Sequence, residues 1–163
     1  SENAYGPFGG DIPNPAEFTI FVVVTILSAN TTGIRPVFSG TESGGILQTL
    51  GIIGSGGQWG VWADDRATGF IGTSSLSVGK TYILCGRATT TNIYLDVNGL
   101  QVTTAGRIAA SGATYTGLET GHNIIRNGDG DFELSEALLY SAHLSTNERA
   151  FVLEYLNRRY GVF

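Results

Sequence analysis

Three carboxylates lie close together late in the 163-residue chain, at Asp131, Glu133 and Glu136. Two carboxylates that flank a glycosidic bond can act as nucleophile and as acid/base, with a third to orient them. In a regularly pleated strand Asp131 and Glu133 share one face, whereas Glu136 lies on the other with Phe132 and Leu134. Only a β-bulge would bring all three carboxylates together. We therefore favour two carboxylates at the sheet rim and a partly buried Glu136 that orders a loop or pairs with an arginine.

Oxygen-bearing side chains alternate at Asn127, Asp129 and Asp131, as they do in calcium-binding loops. The EF-hand pattern fails, because Phe132 stands where that loop has glycine and Leu138 where it has a bidentate glutamate. A looser calcium site at the rim of the fold remains open, with a solvated turn as the alternative. Calcium is the cofactor that this segment indicates.

Aromatic rings can stack on sugars, and Trp62 and Tyr94 are our candidates for such contacts. Asp64 and Asp65 follow Trp62 and could supply polar contacts to a glycan, or ligands to a second calcium ion. Trp59 lies in the same predicted strand as Trp62 but on the opposite face, so at least one of the two belongs to the core. The alternatives are core packing of both tryptophans, a solvated turn for the aspartates and a cross-strand pair for Tyr94.

Nucleophilic catalysis has weaker support in the sequence. His122 and His143 have no obvious partner, and no Gly-x-Ser-x-Gly elbow is present. Cys85 lies in an apolar strand without a nearby base, so we expect an inert core residue.

The elements that must position these residues are short strands separated by Gly/Ser-rich turns. Residues 18–27 are apolar on both alternating faces, which predicts a central strand that is covered on both sides. Other predicted strands are 35–39, 46–52, 58–63, 69–73, 82–87, 122–126 and 132–140.

A β-hairpin is predicted over residues 92–104, because Asn98-Gly99 suits a type I′ turn whose two central residues need positive φ. One side should face the core and the other side should be polar. The expected core-side pairs are Val97 with Leu100 and Leu95 with Val102, and the polar-side pairs are Asp96 with Gln101 and Tyr94 with Thr103.

The chain should end in a helix of about four turns. Ser145-Thr-Asn-Glu148 is a capping box at its start, and Gly161 ends it. We expect one apolar stripe of this helix to face the core, formed by Phe151, Val152, Tyr155 and Leu156.

Composition excludes several classes of protein. The net charge of −5 argues against a nucleic-acid partner, and the longest apolar run is about half a membrane span. A lone Cys85 cannot form an internal disulfide. Only 14% of residues are charged, against a usual value of about 25%, so little like-charge repulsion keeps copies apart. Because the chain has no methionine, we expect a processed product or an excised domain.

Two segments are predicted: an extended arm over residues 1–16 and one domain over residues 17–163. Glycines and prolines in the arm forbid regular helix, and Tyr5 and Phe8 are the large anchors in its first half. An arm of this kind must be held either by its own domain or by a neighbouring copy.

The order of the motifs resembles the concanavalin A-like, laminin G-like jelly rolls of bacterial and phage proteins. The resemblance covers about residues 17–161, and its most specific part is the final strand that runs into a capped helix. The motifs are Glu17–Val24, Gly79–Leu84, Ile93–Gly99, Phe132–Tyr140, Leu144–Arg149 and Tyr155–Gly161. The resemblance implies a concave sheet that binds glycans or proteins at surfaces.

The chain departs from that family in two ways. Such domains usually carry an additional edge strand ahead of residue 17, and here a short arm takes its place. Glucanases of this fold carry Glu-x-Asp-x-x-Glu in a strand, whereas this chain has Asp131, Glu133 and Glu136, with the first two acids exchanged.

The sequence thus predicts a mostly β fold, a two-sheet antiparallel jelly-roll sandwich with one C-terminal α-helix. Our leading hypothesis is a non-catalytic, lectin-like structural or decorating subunit of a virion, filament or cell surface. Its arm would dock on a neighbouring copy to form a homo-oligomer, and its partners would be copies of itself or other surface or virion proteins. The alternative is a carbohydrate-binding module, and the least favoured hypothesis is a small glycoside hydrolase. We expect an extracellular, cell-surface or virion location, no nucleic-acid partner and no membrane insertion.

Overall fold

The fold is a sandwich of two antiparallel sheets followed by one helix, which confirms the predicted fold class. The computed structural model describes residues 12–13, 17–27, 34–42, 49–55, 58–62, 70–73, 76–107, 114–119 and 132–163. Only the backbone is described at residues 12–13, 34–42, 49–55, 62, 70–71 and 114–119. Within these residues, no helix is both long enough and apolar enough to span a membrane.

Eleven strands and one helix are formed by the described residues. In chain order they are β1 Ile12–Pro13, β2 Phe18–Ile26, β3 Ile34–Glu42, β4 Thr49–Ser55, β5 Gln58–Trp62, β6 Phe70–Thr73, β7 Thr81–Ala88, β8 Asn92–Val97, β9 Leu100–Gly106, β10 Thr114–Glu119, β11 Phe132–Tyr140 and α1 Thr146–Tyr160. One sheet has the order β1-β10-β3-β4-β5-β6, and the other has the order β11-β2-β7-β8-β9.

Strand β2 is buried on both faces, as its apolar alternation predicts. Phe18, Ile20 and Val22 face the interior between the two sheets, where Trp59 and Leu95 also pack. The opposite face of β2 belongs to a second apolar cluster, which contains Phe21, Val23, Ile83, Cys85 and Leu156. Because Leu156 comes from α1, the helix covers the outer face of the five-stranded sheet.

The predicted hairpin turn is confirmed, but part of the predicted register is wrong. Asn98 and Gly99 have φ values of 49° and 83°, as a type I′ turn requires. A bulge in β9 places Thr103 opposite Leu95. Val102 is the extra residue of this bulge and is exposed instead of lying at its expected core position, and Leu100 is 74% exposed near the hairpin tip.

The helix begins and ends as predicted but presents a different face to the core. The Ser145 hydroxyl accepts a hydrogen bond from the Glu148 N–H, the Glu148 carboxylate accepts one from the Ser145 N–H, and Gly161 ends α1 in the left-handed region. The expected stripe is wrong at Phe151 and Tyr155, which are 73% and 44% exposed. Val152 and Leu156 pack against the sheet as predicted, together with Leu153 and Tyr160. Both stripes fit a period of 3.6 residues, so the rotation of the helix depends on what it packs against.

Part of the predicted arm lies in the chain's own sheet. Ile12 and Pro13 pair with Tyr115 and Thr114 at the edge of the six-stranded sheet. The partner strand β10 was not predicted from the sequence, in which Gly117 interrupts the pattern. Tyr5, Phe8 and the predicted strand 122–126 lie outside the described residues, so the docking of the arm on a neighbour stays a prediction.

Gly99 is required both by its backbone conformation and by the packing of α1. A Cβ at position 99 would overlap Cδ2 of Leu153, whereas a Cβ at Gly79, which also has positive φ, would meet nothing within 4 Å. We expect Gly79→Ala to lower the free energy of unfolding by about 1–2 kcal/mol for the backbone alone. Gly99→Ala should cost about 1–3 kcal/mol more because of the overlap.

Urea unfolding of both variants measures this difference. Adding Leu153→Ala to Gly99→Ala tests the cause, because the smaller side chain removes the overlap and the two changes should then be less than additive. Equal destabilisation by the two glycine substitutions would contradict this account of how the helix docks.

Candidate functional site

Strand β11 contains a bulge that rearranges the carboxylates. Leu134 pairs with Val24 and Glu136 pairs with the next residue of β2, Val23, so that Ser135 is the extra residue. The expectation from regular pleating is therefore wrong, because the bulge turns Glu136 to the outer face that also carries Glu133. Asp131, the third carboxylate of the motif, lies outside the described residues.

Glu136 is held by α1. Its carboxylate accepts hydrogen bonds from the Tyr155 hydroxyl at 3.1 Å and the Tyr160 hydroxyl at 2.8 Å, and it lies 3.4 Å from Nε of Arg159. The hydrogen bond to Glu136 raises the pKa of Tyr160, since the proton is shared with a carboxylate. This agrees with the interpretation that we favour from the sequence, in which a partly buried Glu136 pairs with an arginine. Glu133, in contrast, is exposed.

An open groove runs along the outer face of α1. Phe151, Glu154, Tyr155, Arg158 and Arg159 line it, and its volume is about 430 Å³. Two aromatic rings one helical turn apart thus lie in solvent beside charged groups. Large exposed apolar groups that cluster in this way usually mark a binding surface. We call these five residues the α1 groove.

Hydrogen bonds order one side of the α1 groove. Arg159 donates from Nη1 to the Tyr155 hydroxyl at 3.1 Å, and Tyr155 in turn donates to Glu136. Arg158 pairs with Glu154, one turn earlier, and its side chain is 80% exposed. Sequence analysis missed this site because Phe151 and Tyr155 fit an apolar stripe that was expected to face the core.

A second polar cluster lies on the outer face of the five-stranded sheet, where β7 and β8 pair. Nη2 of Arg87 is 2.8 Å from Oδ1 of Asp96, and both side chains are buried, with 5% and 8% exposed. The same Nη2 donates to Gln101 at 2.9 Å, and Nε of Arg149 is 3.9 Å from Oδ2 of Asp96. Loss of Asp96 would leave the buried Arg87 guanidinium without its ion-pair partner, which costs about 3–5 kcal/mol.

Tyr94 borders this cluster. The Arg87 guanidinium lies over its ring, 4.5 Å from the centroid, and the His143 ring is 5.8 Å away at a 50° tilt. One face of the Tyr94 ring is therefore occupied by a cation. Its predicted role in sugar stacking stays a prediction.

The remaining predicted site residues have different outcomes. Trp59 is a core residue that packs edge to face on Phe132, and burial raises the pKa of the Cys85 thiol well above its ordinary value. Among the residues that the structure describes, no group of three or more His, Cys, Asp or Glu side chains could hold a metal ion. The candidates outside the described part of the chain are the side chain of Trp62 and the residues Asp64, Asp65, Asn127, Asp129 and Asp131.

Solved structures share this sandwich. A sialidase of Trypanosoma rangeli in complex with 2-keto-3-deoxy-D-glycero-D-galacto-2,3-difluoro-nononic acid matches with a TM-score of 0.66 at 20% identity, over 88% of this chain and 23% of the sialidase chain. The receptor-binding domain of a botulinum neurotoxin C/D mosaic serotype matches with a TM-score of 0.64 at 13% identity, over 85% of this chain and 36% of that chain. The heptameric SAP-like pentraxin of Limulus polyphemus matches with a TM-score of 0.64 at 16% identity, over 94% of this chain and 78% of that chain.

The chain has a two-sheet β-sandwich fold, which these structures share. These identities are low, so the matches establish the fold and leave the activity open. No protein-family model matches the sequence, and neither does any curated protein. The chain spans 23% of the length of the sialidase.

The prediction that the chain is not an enzyme is wrong, because enzymes also have this fold. Sialidases, which are enzymes, are among the structures that share it. The non-catalytic part of our leading hypothesis is therefore withdrawn.

His143 should make stability depend on pH. Burial, followed by the nearby Arg87 and Arg149 guanidinium groups, lowers the pKa of His143, against smaller opposing effects of Glu17 and a hydrogen bond to the Ala88 backbone. The folded protein thus favours the neutral ring. As pH falls below the ordinary histidine pKa of about 6.5, the unfolded chain takes up the proton first and stability is lost.

Urea midpoints between about pH 8 and about pH 5.5 test this linkage. We expect the loss of stability at the acidic end to be smaller in His143→Gln than in the unaltered protein. His122→Gln, which removes the other histidine of the chain, is the comparison variant. The same slope in both variants would contradict the role of His143.

Proposed function

We propose that this chain is a glycan-binding β-sandwich and that the α1 groove is its binding surface. The observation that carries the proposal is the exposed pair of aromatic rings, Phe151 and Tyr155, along a groove with charged groups at its edge. An aromatic face can cover the apolar face of a sugar ring while charged groups bind its hydroxyls.

The fold supports the same proposal. The T. rangeli sialidase has been solved in complex with sialic acid, and the neurotoxin match is a receptor-binding domain.

We further propose that the chain is of the bacterial and phage laminin G-like type. Three further candidates are to be tested: Tyr94 on the five-stranded sheet, Trp62 of the six-stranded sheet with Asp64 and Asp65, which follow it in the sequence, and a calcium site at Asn127, Asp129 and Asp131.

Retention on a glycan array tests the proposal. We expect Phe151→Ser to lower the affinity for retained glycans about tenfold, equivalent to about 1.4 kcal/mol, because the stacking surface is lost. Leu100→Ser is the matched control, since Leu100 is an equally exposed apolar residue on β9 that does not line the α1 groove.

Three outcomes would overturn the groove as the glycan site. Trp62→Ala, Tyr94→Ala or calcium chelation could abolish retention while Phe151→Ser leaves it unchanged, which would place binding at that residue or ion. No retention on any glycan would exclude glycan binding by this chain. If Phe151→Ser instead lowers the mass of an oligomer, the groove is a protein interface.

The second candidate function is self-association as a structural or decorating subunit of a virion, filament or cell surface. The observation that favours it is β1, in which Ile12 and Pro13 of the arm pair with β10 at the edge of the six-stranded sheet. A strand pairing at a sheet edge can also form between copies, as in domain swapping. The low charge fraction of 14% would oppose such association little. We place such a subunit outside the cell or on a virion.

Light scattering with and without residues 1–16 tests this candidate. We expect an oligomer whose mass increases with concentration, and a monomer once the arm is removed. Far-UV circular dichroism must show that the shortened chain is folded. A folded monomer in both forms would exclude association through the arm.

A further inference from the structure

We infer that the α1 groove selects saccharides that carry a carboxylate, which Arg158 and Arg159 bind while Phe151 and Tyr155 contact the sugar ring. This inference rests on the proposed function and names the ligand class of the same site. Both arginines line the groove together with the two exposed rings.

The charge of the α1 groove differs from that of the whole chain. Its lining residues carry two positive charges, Arg158 and Arg159, and one negative charge, Glu154, and the Glu136 carboxylate lies beside Arg159. The whole chain carries −5. A groove without net negative charge on an acidic protein repels an anionic ligand less than the rest of the surface does.

Arg159 is already held in place. Its Nε faces Glu136 at 3.4 Å, and its Nη1 donates to the Tyr155 hydroxyl at 3.1 Å. A guanidinium has five N–H donors, so three remain for a ligand. Because two contacts already restrict the side chain, less conformational entropy is lost on binding.

Arg158 supplies the more accessible charge. Its pair with Glu154 is exposed, with 80% and 55% of the two side chains accessible, and exposed pairs of this kind contribute about 0–1 kcal/mol. A ligand carboxylate can therefore replace Glu154 at little cost. The planar guanidinium matches a carboxylate through two parallel hydrogen bonds, whereas neutral hydroxyls offer no such partner.

Glu136 is a positioning residue in this account. It anchors Tyr155, Tyr160 and Arg159, and it reaches them only because the β11 bulge turns it to the outer face. Glu136, which belongs to the glucanase-like motif of the sequence, thus holds Tyr155 and Arg159 of the groove in place.

The test uses the full chain on an array of matched oligosaccharides: neutral, sialylated, uronic-acid-bearing and sulfated. We expect carboxylated members to bind at least tenfold more tightly than their neutral counterparts, and binding to weaken between about 50 mM and about 500 mM NaCl. Arg158→Gln and Arg159→Gln should each reduce this preference. Lys80→Gln is the control, since it removes one exposed positive charge that does not line the groove. Arg159→Lys, which keeps the charge but not the planar fork, should restore only part of the preference.

The outcomes separate this inference from the proposed function. Neutral and acidic members bound equally, with binding lost in Phe151→Ser, would retain glycan binding and overturn the carboxylate preference. A preference for sulfated members, or one unchanged in Arg158→Gln, would also overturn it. No binding by any member would overturn the proposed function itself. Arg158→Gln is the decisive variant because the side chain is 80% exposed and its ion pair with Glu154 lies at the surface, so the fold should be unaffected.

Discussion

Burial of β2 on both of its faces is the constraint on which the rest of the structure depends. A strand with one polar face must be shielded from water on its other face only, whereas Phe18–Ile26 must be shielded on both faces. The six-stranded sheet covers the inner face, where Ile20 and Val22 pack with Trp59. The outer face, with Phe21 and Val23, would be exposed without α1. The helix is thus a structural necessity of this strand, and its position follows from the apolar patch that it covers.

The contacts that hold α1 also decide which of its residues stay in solvent. Leu153 packs over Gly99 in the middle of the helix, and Tyr160 donates to Glu136 at its end. With Leu156 buried between these two contacts, the rotation of the helix is determined. Phe151 and Tyr155 then lie on the far side. The α1 groove results from how the helix packs against the sheet. The hydrogen bonds and ion pair of Glu136 connect the sheet to that groove.

The buried pair of Arg87 and Asp96 connects the sheet to the segment that leads into α1. Arg149 approaches Asp96 from the helix and donates to the Leu144 carbonyl, while His143 packs against Tyr94. The buried Asp96 carboxylate therefore lies beside two guanidinium groups, those of Arg87 and Arg149. Burial of His143, followed by the charges of these two guanidinium groups, lowers its pKa and disfavours its protonation.

Local signals in the sequence determined the elements: the apolar alternation of β2, the Asn98-Gly99 turn and the Ser145–Glu148 capping box all depend on residues close together in the chain. The sequence also indicated a sandwich and a Glu136 that pairs with an arginine. It could not place the bulges at Ser135 and Val102, because a bulge depends on the register of a partner strand. Nor could it choose between two apolar stripes of α1, since both fit the helical period. Only tertiary packing decided that Phe151 and Tyr155 face solvent, because the side of a helix that is buried depends on the surface it must cover.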